Sequence, residues 1–368
     1  MTKSKQNTQP KTSNPIRWLI TGGCGFIGLN LVKNLTEEAG HYIRIVDNLS
    51  VGTRKDLSQV CNFTELDPKT LTPSQPSVHS PKNPKDSSSS TIVKLIVADI
   101  LDEKLAFKAT KEIDIVVHLA ANTGVEPSVE DPRSDCLNNV LGTLNYLEAA
   151  RHNNVKRFIF ASSGAPVGEC EPPIHEELAP HPVSPYGASK LAGEAYCSAY
   201  FRTFGIKTVA LRFGNVYGPL SGQKNSVVAK FIKRAMEAKP LEIYGDGTQT
   251  RDFIYVDDLI SAIRKAVSIR PLYPKSSLHH AFPWGEIFQI ATNTETTIRE
   301  LVEELLPILS DSGFEKIEVH YTSPRVGDVK RNFSDTSKAK RLLGWEAQIP
   351  LIEGLNMTVK KFIQSFNP

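Results

Sequence analysis

In the stretch VSPYGASKLAGEAY (183–196), Tyr186 and Lys190 stand four residues apart just behind a proline. On any helix that starts there, the phenol and the ammonium share one face, about 6 Å apart. A cation at that distance favours phenolate over phenol and draws a tyrosine down from its ordinary pKa of about 10, which would make Tyr186 usable as a base. In a chain with ten tyrosines such a pair also arises by chance, so its meaning depends on what surrounds it. A hydroxyl, Ser163, ends the apolar run KRFIFASS (156–163). If that run is a parallel strand, Ser163 lies at its carboxyl end, where ligands bind in open α/β sheets.

The elements that would hold these groups follow from the apolar pattern. IRWLIT (16–21), YIRIVD (42–47), IVKLIVAD (92–99), DIVVHLAA (114–121), KRFIFASS (156–163) and IKTVALRF (206–213) read as buried strands, with helical patterns between most of them, notably 136–152 and 186–203. Strands that are apolar throughout and alternate with helices indicate a doubly wound α/β fold, a parallel sheet covered on both faces. Past about residue 215 the pattern becomes mixed: a helix over 226–238, short strands LEIY and RDFIYV, a helix from Asp257, a strand near FQIAT and helices at 297–309, 335–343 and 352–365. The expected organisation is a polar tail (1–15), a doubly wound α/β domain (16–214) and a smaller, mixed lobe (215–368). Residues 62–91 interrupt the first domain, and from Pro68 to Ser90 twelve of twenty-three positions are Pro or Ser. Such a stretch buries too little apolar surface to offset its ordering entropy, so it is expected to be a mobile insertion.

Composition removes several function classes. With 40% apolar and 23% charged residues and a net charge of +3, the chain has no basic run interleaved with aromatics, which argues against nucleic acid or an acidic membrane as partner. No run of about 18 apolar residues occurs and the N-terminus has no apolar core to act as a signal peptide, so a cytoplasmic protein is expected. Five cysteines without close spacing suit reduced thiols, and nine histidines form no zinc-binding pattern, so no metal is indicated.

TGGCGFIG (21–28) puts Gly22, Gly25 and Gly28 directly after a strand and before a helix. Glycines there allow the backbone to approach a pyrophosphate, which the free N–H groups and positive end of the helix attract. Asp47 follows Gly28 by nineteen residues, at the end of the second strand. A carboxylate there can take both ribose hydroxyls of an adenosine and would repel a 2′-phosphate, so NAD is favoured over NADP. The alternative is that Asp47 caps the turn in VDNLSVG.

Taken in order, TGGCGFIG, DNLSVG, ADI, HLAA, NNVLGT, SS, YGASK, LRFGNVYGP, GDGTQTRDFIYVDD and PRVGD resemble the extended short-chain dehydrogenase/reductases, and among them the nucleotide-sugar 4-epimerases of the UDP-glucose 4-epimerase kind. The resemblance runs from Ile16 to about Phe362. It implies that Phe26, Ile27, Asp47, Asn48, Asp99, Ile100, the strand end Leu119–Ala121 and Asn139 line NAD, and that Ser163, Tyr186 and Lys190 are catalytic. It further implies that Asn215, Arg251, Arg325 and Asp328 hold the nucleoside diphosphate, arginine being suited to bind two phosphate oxygens at once. Asn332 would border the pocket for the sugar's 2-substituent. Tyr186 would accept the proton of the sugar 4-hydroxyl, with Ser163 relaying it and Lys190 binding the nicotinamide ribose. A homodimer formed through the 136–152 and 186–203 helices is the resemblance's implication as well.

One departure bears on specificity. Where that family carries VYG after the serine, this chain reads SSGAPVGE, with Pro166 and Val167, so the loop above the sugar is expected to be reshaped. Dehydratases of the fold carry Asp and Glu after the catalytic hydroxyl, and decarboxylases a glutamate in the same loop; here Gly164 and Ala165 follow. A non-catalytic sensor would be expected to lack Tyr186 or Lys190. UDP-glucose/UDP-galactose is the first expectation for substrate, with UDP-glucuronate and UDP-N-acetylhexosamines as alternatives.

Overall fold

A computed structural model describes residues 15–72, 91–269, 283–314, 316–324 and 329–366. The polar tail apart from Pro15, most of the Ser/Pro-rich segment, Arg325 and Asp328 lie outside the described residues. Strands β1 (Ile16–Thr21), β2 (His41–Asp47), β3 (Thr64–Leu66), β4 (Ile92–Val97), β5 (Ile115–His118), β6 (Arg157–Ser163) and β7 (Lys207–Phe213) alternate with helices α1 (Phe26–Thr36), α2 (Arg54–Ser58), α3 (Glu103–Ala109), α4 (Val125–Glu130), α5 (Pro132–Cys136), α6 (Gly142–His152) and α7 (Pro185–Phe204). Then come β8 (Asn215–Tyr217), α8 (Val227–Met236), β9 (Leu241–Tyr244), β10 (Thr250–Arg251), β11 (Phe253–Tyr255), α9 (Val256–Ser268), β12 (Glu286–Ile290), β13 (Thr296–Thr297), α10 (Ile298–Asp311), β14 (Val319–Thr322), α11 (Ser337–Leu343) and α12 (Leu351–Phe366).

Eight strands form one parallel sheet in the order β12-β7-β6-β5-β1-β2-β4-β3. The chain therefore winds outward from β1 in one direction, returns, and winds outward in the other, which opens a crevice at the carboxyl ends beside β1. Period-two alternation explains why both faces are apolar. Trp18, Ile20, Ile43, Ile45, Val117 and Leu211 join the apolar layer on one face, while Leu19, Val46, Val116, Phe158, Phe160 and Ala210 join the layer on the other.

Two elements differ from the sequence expectation. Thr64–Leu66, at the front of the segment read as an insertion from residue 62, pair with β4 as the sheet's edge strand. The strand near FQIAT does not belong to a separate lobe: β12 pairs in parallel with β7, Glu286 opposite Val209 through Ile290 opposite Phe213. Parallel pairing of segments this far apart in sequence leaves no local signal.

What ties the later elements to the sheet is one carboxylate. Asp252 is fully buried. Its Oδ1 accepts from Thr292 N (2.7 Å) and Thr292 Oγ1 (2.6 Å), and its Oδ2 from Asn293 N (3.0 Å) and Ser334 N (3.3 Å). The loop after β12 and the approach to α11 are thereby clamped onto the turn between β10 and β11. An amide at this position cannot accept all four bonds and strands buried N–H donors. Asp252→Asn is expected to lower stability by about 3 kcal/mol, read by denaturant unfolding; an unchanged midpoint would show that the clamp is dispensable.

Candidate active site

Immediately beyond β1 the backbone doubles back. Gly22 has φ 70°, and a Cβ there would lie 2.8 Å from Ala120 N; a Cβ on Gly28 would be driven into the Gly22 carbonyl. Glycine at both positions lets the turn lie flat on the end of β5 and lets α1 begin at once. The N-cap residue Gly25 contributes no side chain, so the positive end of α1 is open to the cleft. Gly22, Gly25, Phe26, Ile27 and Gly28 all line a cavity of about 560 Å³ at the carboxyl ends of the strands.

Asp47 closes β2 on the same cavity. Its Oδ2 accepts from Cys24 N (2.9 Å) and its Oδ1 from Leu49 N (2.8 Å). Burial raises its carboxyl above the usual carboxylate range, and those two hydrogen bonds oppose the rise. Each oxygen keeps a second acceptor position for a ribose hydroxyl. Asn48, Ile100, Leu119, Ala120 and Ala121 are lining residues too. Asp99 is not: its Oδ2 accepts from Asn48 Nδ2 (3.0 Å) and its Oδ1 from Leu101 N (2.9 Å), which makes it a brace behind Asn48. Asn139 also departs from expectation. It is 1% exposed and spends its amide on Asn122 O (2.9 Å), Asp135 Oδ1 (2.8 Å) and Ser189 Oγ (3.2 Å), while its Oδ1 accepts from Asn122 N (2.8 Å). The helix expected over 136–152 contains a π-helical turn, Leu137–Leu141, centred on this residue. Asn139 thus holds the backbone of Asn122, itself a lining residue, from behind.

Ser163, Tyr186 and Lys190 converge on the cavity wall. β6 delivers Ser163 at its last position. α7 delivers the other two: Ser184 caps the helix by accepting from Gly187 N (3.1 Å), Pro185 occupies the first turn, and Gly205 ends it in the left-handed region. The Tyr186 phenol lies near enough to Ser163 for that hydroxyl to favour its ionisation. Lys190 Nζ donates to Ala161 O (2.9 Å) and lies 5.0 Å from the Phe160 ring centre and 5.9 Å from that of Tyr186.

The expected depression of the phenol is not found. Burial pushes Tyr186 up to about 12, the Ser163 hydroxyl opposes this, and the Asp135 carboxylate adds to it. Helical spacing does place phenol and ammonium on one face, but the ammonium is turned onto the Ala161 carbonyl, and loss of water outweighs its charge. Lys190 itself is lowered to about 8, again by burial, with Asp135 and Glu194 countering.

Of the residues expected to hold the nucleoside diphosphate, Asn215 and Arg251 line the cavity. Arg251 Nη1 donates to Thr250 O and Val329 O, both at 2.7 Å. Asn332 does not line it; its N–H donates to Thr250 Oγ1 (3.2 Å), because Lys330–Asn332 is laid along β10. The loop departure resolves unexpectedly: Pro166 and Val167 are buried, so the loop presents Gly164 and Ala165 rather than the altered pair. Sequence reasoning missed Lys224 and Lys230, also lining residues. Lys224 Nζ lies 5.3 Å from the Phe26 ring centre, and burial lowers its basicity. Lys230 belongs to an amphipathic stretch (VVAKFIKR, 227–234) whose pattern reads only as a helix facing a core, and Lys224 stands in the polar turn before it.

A side-chain-free helix start, a carboxylate with spare acceptor capacity and an apolar wall from Ile100 and Leu119 fit a dinucleotide carrying an unmodified adenosine ribose. The comparisons agree. The model of the NAD dependent epimerase/dehydratase family matches residues 18–270. The chain is 32% identical to the UDP-glucose 4-epimerase of Mycolicibacterium smegmatis, over 94% of this chain and 98% of that one. The structure is similar to the UDP-glucose 4-epimerase of Thermotoga maritima solved with UDP-glucose (TM-score 0.78, 33% identity, 95% of this chain and 100% of that one). It is also similar to the UDP-glucuronic acid 4-epimerase of Bacillus cereus in complex with UDP-glucuronic acid and NAD (TM-score 0.76, 28% identity, 95% and 100%). Replacing Asp47 by Asn puts an amide where two backbone N–H groups and a ribose need acceptors. Asp47→Asn is expected to weaken NAD binding by about tenfold or more, measured as the NAD released from purified, denatured protein; undiminished NAD would remove Asp47 from the ribose site.

Proposed function

The chain belongs to the NAD-dependent epimerase/dehydratase family, and from that premise we propose that it is a 4-epimerase of a UDP-sugar, acting on UDP-glucose and UDP-galactose. The observation that carries this reading is the convergence of Ser163, Tyr186 and Lys190 on the wall of the cavity that also holds the glycine turn and Asp47. A proton-handling hydroxyl pair beside a redox cofactor is what reversible oxidation of a secondary alcohol requires.

Bound NAD supplies a reversible two-electron acceptor for the sugar's C4 and a positively charged ring. The chain's own residues handle the proton. Tyr186 Oη, ionised, takes it from the 4-hydroxyl, and Ser163 Oγ holds the sugar oxygen beside it. Lys190, anchored to Ala161 O, keeps a positive charge beneath the phenol. The transient 4-keto sugar turns in the cleft; C4 would then take back its hydride on the opposite face while Tyr186 returns the proton to O4, so that NAD is not consumed. Elimination of water would need a further acid and base after Ser163; Gly164 and Ala165 offer neither, which favours epimerisation over dehydration. From Ser163 to Gly168 the loop has no ionisable side chain. A sugar carboxylate would meet no cation from it, which favours the neutral hexose over the uronate.

We also propose a homodimer through the π-helical turn and α7. Leu137, Leu141, Tyr196 and Phe204 there are 38%, 42%, 37% and 48% exposed, more apolar surface than a monomer's helix face needs to show.

Two outcomes are expected. Tyr186→Phe lowers turnover of UDP-glucose and UDP-galactose by about a hundredfold or more while NAD stays bound; wild-type turnover in that variant, or no epimer from any UDP-hexose, UDP-hexuronate or UDP-N-acetylhexosamine, would sink the reading. Leu141→Asp converts the dimer into a folded monomer by light scattering; a wild-type species that is already monomeric would refute the interface.

A further inference from the structure

Lys190 is 3% exposed. An ammonium taken out of water needs an opposite charge nearby, or it gives up its proton. Two carboxylates act on it: Glu194, one turn further along α7, and Asp135, on α5. Glu194 is already matched. Arg212 grips it with two bonds of 2.8 Å, and Ser162 Oγ donates to it as well. Asp135 is not matched: it is 2% exposed, its Oδ1 accepts from Asn139 Nδ2 (2.8 Å), and its Oδ2 meets no donor among the described residues. A buried carboxylate with one hydrogen-bond donor is costly unless something else balances its charge.

We propose that Asp135 is the buried counter-charge of Lys190 and that, as a positioning residue acting through Lys190 and Tyr186, it sets the pH range in which that pair exchanges protons. The inference rests on the reading of Tyr186 and Lys190 as a proton-handling pair. Its geometry is a relay of packed elements. Asn139 joins Asp135 on one side and Ser189 on the other, and Ser189 Oγ donates to Tyr186 O (3.0 Å), so α5 is bonded to the turn of α7 that carries the phenol.

The other groups facing the pair do not supply this charge. Glu194 from α7 is paired with Arg212 from β7. His118 from β5, between Thr21 Oγ1 (2.9 Å) and Thr143 Oγ1 (3.2 Å), is held neutral, its pKa lowered to about 3 by burial and by Lys190. Ser163 from β6 is uncharged. Asp135 acts with one sign on both partners: it holds the proton on Lys190 and opposes ionisation of Tyr186. Removing its charge therefore lets both groups lose their protons at lower pH.

The test titrates the NAD-loaded protein by ultraviolet difference spectroscopy, subtracting the Tyr186→Phe trace in each background to isolate the Tyr186 phenol. Asp135→Asn and Asp135→Ser are expected to lower that phenol's pKa by about 1 and to shift both limbs of the pH profile of turnover in the same direction. Asp135→Glu, which keeps the charge, is expected to titrate like wild type. A neutral variant with wild-type melting and NAD content that leaves the phenol's titration in place would overturn the proposal, as would an Asp135→Glu trace displaced as far as Asp135→Asn. The titration does not depend on turnover: if no UDP-sugar is epimerised and the phenol still shifts in the neutral variants, the proposed function fails and the role of Asp135 stands.

Discussion

Glu194 and Arg212 meet inside the protein, their side chains 1% and 2% exposed, through two parallel hydrogen bonds of 2.8 Å. Neither group has water to fall back on, so the pair tolerates little displacement. Arg212 comes from the end of β7 and Glu194 from the middle of α7, and Ser162, one residue before Ser163, donates to the same carboxylate. The contact therefore sets how far along the sheet α7 sits and how it is rotated. The placement of Tyr186 and Lys190 relative to Ser163 follows from that seating, because Lys190 lies about one turn and Tyr186 a little over two turns before Glu194 on the same helix, and Ser163 directly follows Ser162.

A second polar seam runs under the cleft. His118 bridges Thr21 at the end of β1 to Thr143 on α6, and Thr143 Oγ1 donates to Asn139 O (2.7 Å). Asn139 continues to Asn122 and Ser189. β1, β5, α6, the π-helical turn and α7 are joined by buried polar side chains just behind the cavity wall, and a seam of this kind holds its geometry because every broken bond strands a buried donor or acceptor. Burial is the leading influence on the charges in and beside the cleft: it raises Asp47 and Tyr186 and lowers Lys190 and Lys224.

Much of this was legible in the sequence, and the parts that were share a cause. The doubly wound sheet, the glycine turn, Asp47 at the end of β2 and the placement of Tyr186 and Lys190 just inside a capped helix all rest on local patterns: period-two apolar runs, Ser-Pro before a helix, glycines between strand and helix. The expectations that shifted depended on who lies next to whom. Asn139 sits in a motif read as cofactor-lining, yet a π-helical turn faces it into the protein. Asn332 was placed at the sugar by the family resemblance, and its bonding to β10 keeps it out of the cavity lining. Pro166 and Val167 read as a reshaped loop and are turned into the core.

The sequence by itself determined which residues carry chemistry and which end of which strand or helix presents them, because side-chain direction in regular structure follows from spacing along the chain. Only the tertiary structure decided that β12 completes the main sheet, that Asp135 is buried with Oδ1 on Asn139 and no donor to Oδ2 among the described residues while Glu194 is taken by Arg212, and that the Tyr186 phenol is held up rather than down. Those outcomes depend on desolvation and on partners brought together from segments tens of residues apart, and neither the loss of water around a group nor the identity of a distant neighbour is encoded in local spacing.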